Sequence, residues 1–178
     1  MAKNIVIGIF TDRAHAESAL SDFENHGYSP KEISVIVKDG VLKEQIAEST
    51  GAHVASGLAE GATTGGVVGG VIGLLVGIGA VTLPGIGALL IGGPIAAALG
   101  LAGAAAVTAQ GITTGAVAGG LLGALVGLGV PEETAKYYEQ HVREGAIILA
   151  VSPKDTFTVE QVSQIFDAHG AQQVHYLA

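Results

Sequence analysis

From Gly61 to Pro131 the chain carries no Asp, Glu, Lys, Arg or His. Glu60 closes the charged sequence before this run and Glu132 reopens it afterwards. The run holds 21 of the 28 glycines, set among Val, Leu, Ile and Ala. A stretch this long without charge cannot be an ordinary solvated surface, so it must be covered by protein, by lipid or by other copies of the chain. Aromatics make up only 4% of the sequence and Trp is absent, so whatever covers the run meets small aliphatic groups that allow close backbone approach.

Two segments inside the run are near-copies, fifty residues apart. Gly61 to Ala80 reads GATTGGVVGGVIGLLVGIGA and Gly111 to Val130 reads GITTGAVAGGLLGALVGLGV, with twelve of twenty positions identical. Gly65, Gly69, Gly73 and Gly77 recur at steps of four in the first copy, and Gly115, Gly119, Gly123 and Gly127 in the second. On an α-helix such steps line one stripe, so each copy is expected to form a glycine zipper that packs closely on a partner helix. Eight helical glycines cost about 8 kcal/mol relative to Ala, so the zippers need a packing partner. Leu83-Pro84-Gly85 and Gly92-Gly93-Pro94 break the chain between the copies, with the apolar piece Ile86 to Ile91 between the breaks. Each copy is long enough to cross a bilayer core, but neither has an aromatic belt or flanking Lys or Arg. A transmembrane hairpin and an apolar bundle completed by other copies both remain open at this point.

The flanks read differently. Asn4 to Phe10 and Ile33 to Val37 have the apolar, β-branched character of buried strands. Between them Ala16, Ala19, Leu20 and Phe23 fall at helical spacing from about Arg13 to His26. Thr11 or Asp12 supplies the N-cap and Gly27 the left-handed stop. After the insert, Pro131-Glu132-Glu133 starts a helix that carries Tyr137, Tyr138 and Val142 and ends at Gly145. Ala146 to Val151 reads as a strand. Thr156 or Thr158 caps a helix from about Val159 to His169, and a last strand spans Gln173 to Leu177. Phe23-Glu24-Asn25-His26-Gly27 and Phe166-Asp167-Ala168-His169-Gly170 share the pattern F-x-x-H-G at corresponding helix ends.

Removing the insert leaves two strand–helix–strand units. The expected fold is therefore α+β: a ferredoxin-like split βαβ domain, with an all-α glycine-zipper hairpin inserted between its second and third strands. The domain boundaries are 1–56 plus 131–178 for the α+β part and 57–130 for the insert. The segment from Val41 to Glu60 carries only a weak signal for a short amphipathic helix.

Charge and motif tests narrow the function classes. The net charge is −8 and the eight Lys and Arg are scattered, which argues against nucleic acid as a partner. There is no cysteine, hence no disulfide framework or thiolate metal site. No glycine group satisfies the dinucleotide fingerprint, and the insert lacks the Lys of a phosphate loop. As pH sensors or ligand contacts, His26 and His169 compete with a plainer reading as helix C-terminal residues. Tyr137, Tyr138 and His141 are better placed to pack a helix on a sheet than to bind a ligand. No catalytic, cofactor-binding or metal-ligating set emerges, so no cofactor and no enzyme activity are expected. The apolar run at the N-terminus, about six residues, is shorter than the roughly 7–15 of a signal peptide, and the expected location is the cytoplasm, with association to the inner membrane through the insert.

The segments VIGIFTDRAHAESAL, LPGIG, GGPIAAAL and GLGVPEETAKYYEQHVREGAIILAV resemble a family of small bacterial general stress or low-temperature-induced proteins that carry a domain of unknown function. The resemblance is most specific at Leu83–Ala97 and Gly127–Val151. It implies stress-linked expression and membrane association or assembly, and it supplies no catalytic residues. The leading expectation is a non-catalytic, homo-oligomeric scaffold held by paired zippers, with lipid contact through the insert. The alternatives are a soluble oligomer whose pooled inserts carry an apolar molecule such as a lipid or quinone, and a ferredoxin-like small-molecule sensor.

Overall fold

The computed structural model describes residues 4–29, 32–38, 40, 79–83, 86–95 and 116–177. They form an α+β structure of six strands and four helices: β1 (Ile5–Phe10), α1 (Arg13–Asn25), β2 (Ile33–Lys38), β3 (Gly79–Leu83), β4 (Gly87–Gly92), α2 (Ala116–Gly127), α3 (Glu132–Arg143), β5 (Ile147–Val151), α4 (Val159–Ala168) and β6 (Gln172–Leu177). The strands join in one antiparallel sheet in the order β3-β4-β2-β5-β1-β6.

Helices cover both faces of this sheet. On one face α1 and α4 bury Ala16, Ala19, Leu20, Phe23, Val162, Ile165 and Phe166 against Val6, Phe10, Val35, Leu149 and Val151. On the other, α2 and α3 bury Leu121, Leu125, Tyr138 and Val142 against Ile5, Ile7, Ile9, Ile36 and Ile148. Successive strand residues point to opposite faces, so double coverage explains why β1 and β5 are apolar and buried at every position. Each Ile, Leu or Phe placed there contributes about 1.5–3 kcal/mol of burial. The only glycine of β1, Gly8, makes room for α4: a Cβ there would lie 3.3 Å from the Phe166 ring.

Local signals set the helix limits. Asp12 caps α1 by accepting from the Ala14 N–H, and Gly27 follows the His26 cap at φ +82°. Thr158 and Gln161 form a reciprocal capping box at the start of α4. Glu132 and Glu133 sit in the first turn of α3, where the helix dipole favours negative charge.

The insert departs from the all-α expectation. Its described central part is a hairpin, β3 and β4, paired from Gly79↔Ile91 to Leu83↔Gly87, with β4 docked on β2 from Val35↔Gly92 to Lys38↔Leu89. The first zipper was expected to stay helical through Ala80, yet Gly79 and Ala80 already belong to β3. The physical reason lies in the sheet. A four-stranded arrangement would leave the outer edge of β2 with unpaired N–H and C=O groups. The short β-branched and leucine runs on either side of Pro84-Gly85 satisfy that edge without charge. Gly93 then turns the chain off the sheet at φ +79°, packed so closely that a Cβ would sit 2.2 Å from the Ile33 carbonyl oxygen. Two residues on, the Ile95 N–H donates to the buried Ser34 Oγ at 3.0 Å.

Candidate functional site

The second zipper contributes α2, an apolar helix without a single charged residue. It was expected to carry an unbroken glycine stripe, but Gly120 adopts φ 64° and ψ −157°, which splits the helix. Gly119 and Gly123 therefore lie on opposite sides of a kink. The break frees backbone N–H groups at the start of the second segment, and Glu139 of α3 answers one of them: the Leu122 N–H donates to Glu139 Oε2 at 2.9 Å. Glu139 also pairs with Arg143 one turn further along α3.

Beyond the kink, Leu121, Ala124 and Leu125 are buried, while Val126 stays 42% exposed. At Gly127 a Cβ would meet no described atom within 4 Å. This end of α2 thus presents a small, uncharged, apolar face outward. Gly65, Gly69, Gly73, Gly77 and Gly115 lie outside the described residues.

The F-x-x-H-G repeat is brought together in space. Phe23 and Phe166 meet edge to face with ring centroids 5.3 Å apart, an arrangement that suits aromatic quadrupoles. His26 and His169 are the C-caps of α1 and α4, and both lean on the same carboxylate. Asp22 Oδ1 is 3.3 Å from His26 Nδ1, and Asp22 Oδ2 is 3.1 Å from His169 Nε2. The role of Asp22 was missed in the sequence, although its position four residues before His26 is a usable signal.

A second polar contact ties the loop after β5 to the loop before β2. Lys154 Nζ donates to Glu32 Oε2 at 2.7 Å and to the Gly27 carbonyl at 3.1 Å, and lies 4.3 Å from the centroid of the Tyr28 ring. The hydrogen bond from Lys154, aided by one from the Ser29 N–H, holds the Glu32 carboxyl below its usual range. Burial, and then the Glu32 charge, push the Tyr28 hydroxyl above its own.

The tyrosines of α3 do pack the helix on the sheet. Tyr138 is fully buried, and its single O–H points at the Gln173 carbonyl, with the Ile7 carbonyl also within reach at 3.3 Å. These carbonyls flank a register shift between β1 and β6, where Gln173 takes φ 50°. Burial, with a smaller effect of Tyr137, drives the Tyr138 hydroxyl far above the ordinary tyrosine range, so it serves as a hydrogen-bond donor. Tyr137 stacks on His141 at 3.9 Å and donates to Gln172. Among the described residues no group of three or more His, Asp or Glu is arranged to hold a metal ion, and no helix is long and apolar enough to cross a membrane.

The described residues define an α+β protein with one antiparallel sheet covered by helices on both faces. Residues 5–81 match the family model of the heat-induced stress protein YflT domain. The match runs from β1 through α1 and β2 to the first residues of β3, and it is consistent with the bacterial general stress protein family that the sequence resembles. The family's description suggests a stress-associated role. No curated protein and no solved structure matches the chain.

Proposed function

We propose that this chain is a non-catalytic scaffold of the stress response that assembles with copies of itself through its uncharged insert. The observation that carries the reading is the outward face of α2: Val126 and Gly127 stand exposed on a helix without charge, within a run of sequence that holds no charged residue. A second helix can approach a glycine face closely, and the outward glycine is otherwise a cost of about 1 kcal/mol to the helix.

The body behind it is best read as ferredoxin-like. β1-α1-β2 and β5-α4-β6 give the strand order β6-β1-β5-β2, and the paired F-x-x-H-G ends relate the two units. In this reading α3 and the insert cap the face of the sheet that α1 and α4 leave free. The protein works in the cytoplasm, without a cofactor and without nucleic acid as a partner.

The test is native mass with and without detergent, for wild type and Gly127→Leu. An assembly in aqueous buffer that becomes smaller in the variant supports the scaffold. A wild-type monomer in aqueous buffer overturns it. Partition of the wild type into the detergent-extracted membrane fraction instead supports lipid as the partner of the insert, and a co-purifying lipid or quinone in a soluble oligomer makes it a carrier.

A further inference from the structure

α2 has no polar side chain at all: it reads AVAGGLLGALVG. A surface helix is ordinarily held in rotation by the contrast between an apolar stripe and a polar face. That contrast is missing here. Leu121 and Leu125 are buried, while Leu122 and Val126, one position further on, are partly buried and exposed. Turning the helix about its axis would trade one pair of apolar residues for the other. Burial therefore favours a packed helix without selecting the side that faces outward.

Two contacts supply the missing direction. At the end of the helix the Gly129 N–H donates to the Val126 carbonyl at 2.9 Å and the Val130 N–H to the Leu125 carbonyl at 3.0 Å, with Gly129 at φ +100°. This is the Schellman arrangement. Just after the break at Gly120, Glu139 of α3 accepts from the Leu122 N–H at 2.9 Å. The carboxylate is itself held: Arg143 takes its Oε1 and leaves Oε2 for α2, and the Glu139 side chain is only 16% exposed. Among the described residues no other side chain hydrogen-bonds to α2. A directed polar contact can fix one packing among several apolar ones.

We propose that Glu139 is a positioning residue: through the Leu122 N–H it fixes the rotation of α2, and thereby turns Val126 and Gly127 towards a partner copy. The effect on assembly rests on the α2 interface proposed above, whereas the hold on the helix does not. Without the acceptor, the segment after Gly120 turns among apolar settings and no longer offers one outward face.

E139A and E139Q test this by amide hydrogen exchange and by the dissociation constant of the assembly in aqueous buffer. E139A removes the acceptor, and the Leu122 amide is expected to exchange about tenfold faster or more, with the dissociation constant raised by a similar factor. The amides that pair β1 with β5 keep their protection. E139Q keeps a side-chain carbonyl at the same place and restores most of both readouts. Unchanged exchange at Leu122 in E139A, equal deprotection of the whole sheet, or no rescue by E139Q overturns the hold. Faster exchange at Leu122 with an unchanged dissociation constant overturns its role in assembly. A wild-type monomer defeats the α2 interface alone, and the Leu122 exchange rates still decide whether Glu139 holds the helix.

Discussion

The two faces of the sheet are built from different materials. The face under α1 and α4 is aromatic: Phe166 touches both Phe10 and Phe23, with ring centroids 5.9 and 5.3 Å apart, and Tyr28 and Phe157 extend the cluster. It is also closed, because the capping of α1 and α4 and the contacts of Asp22 with both terminal histidines finish it locally. The face under α2 and α3 is aliphatic, with Tyr138 as its only fully buried aromatic among the described residues. It is finished by a helix with no charge, a kink at Gly120 and an outward valine. The first face draws its order from a repeated unit. The second draws on a segment that carries no charged residue and leaves Val126 exposed.

The strongest way to break this contrast is at Phe166. Phe166→Ala removes the ring shared by Phe10 and Phe23 and is expected to cost about 3–5 kcal/mol, measured by denaturant unfolding. On the other face, Tyr138→Phe keeps the ring but leaves the Gln173 and Ile7 carbonyls without their buried donor. The expected loss is about 1–3 kcal/mol, with hydrogen exchange quickening first in β6. Gly120→Ala should be more local. Its backbone conformation is one that side chains avoid, at a cost of about 1–3 kcal/mol. Faster exchange is expected in α2, while the amides that pair β1 with β5 stay protected. Equal deprotection of both regions would erase the distinction between the faces.

The smallest effect is the pH dependence of the Lys154–Glu32 tie. The carboxyl of Glu32 is lowered in the folded chain. Its contribution is therefore present above the ordinary glutamate value and is lost as pH falls through the lowered one. Both partners are partly exposed, so the contribution is at most about 1 kcal/mol. Stability curves of wild type and Glu32→Gln should converge in acid and separate towards neutral pH.

Much of the aromatic face was legible in the sequence. β1, α1, β2, β5, α4 and β6 lie within a residue or two of where spacing, caps and glycine stops put them, and F-x-x-H-G marked the two helix ends. The contact of Asp22 with His169 spans 147 positions and leaves no local trace. In the insert the signals coincide. A short apolar run that lacks polar alternation is compatible with a buried strand or a buried helix, and Gly-rich spacing favoured the helix. What decides for β3 and β4 is tertiary, the open edge of β2. The kink at Gly120 was hidden because Gly119-Gly120 continues the four-residue pattern. The bulge at Gln173 was hidden because a residue other than glycine occupies the left-handed conformation.

The claim that the outward face of α2 joins copies of the chain is tested most directly at Gly127. A Cβ there meets no described atom, so within one copy Gly127→Leu should leave the fold intact and raise helix stability by about 1 kcal/mol. Between copies the new side chain would hold two helices apart. Native mass in aqueous buffer, read beside the thermal unfolding curve, separates the two effects. A smaller assembly with an equal or higher unfolding temperature is expected. A variant with the wild-type mass would contradict it.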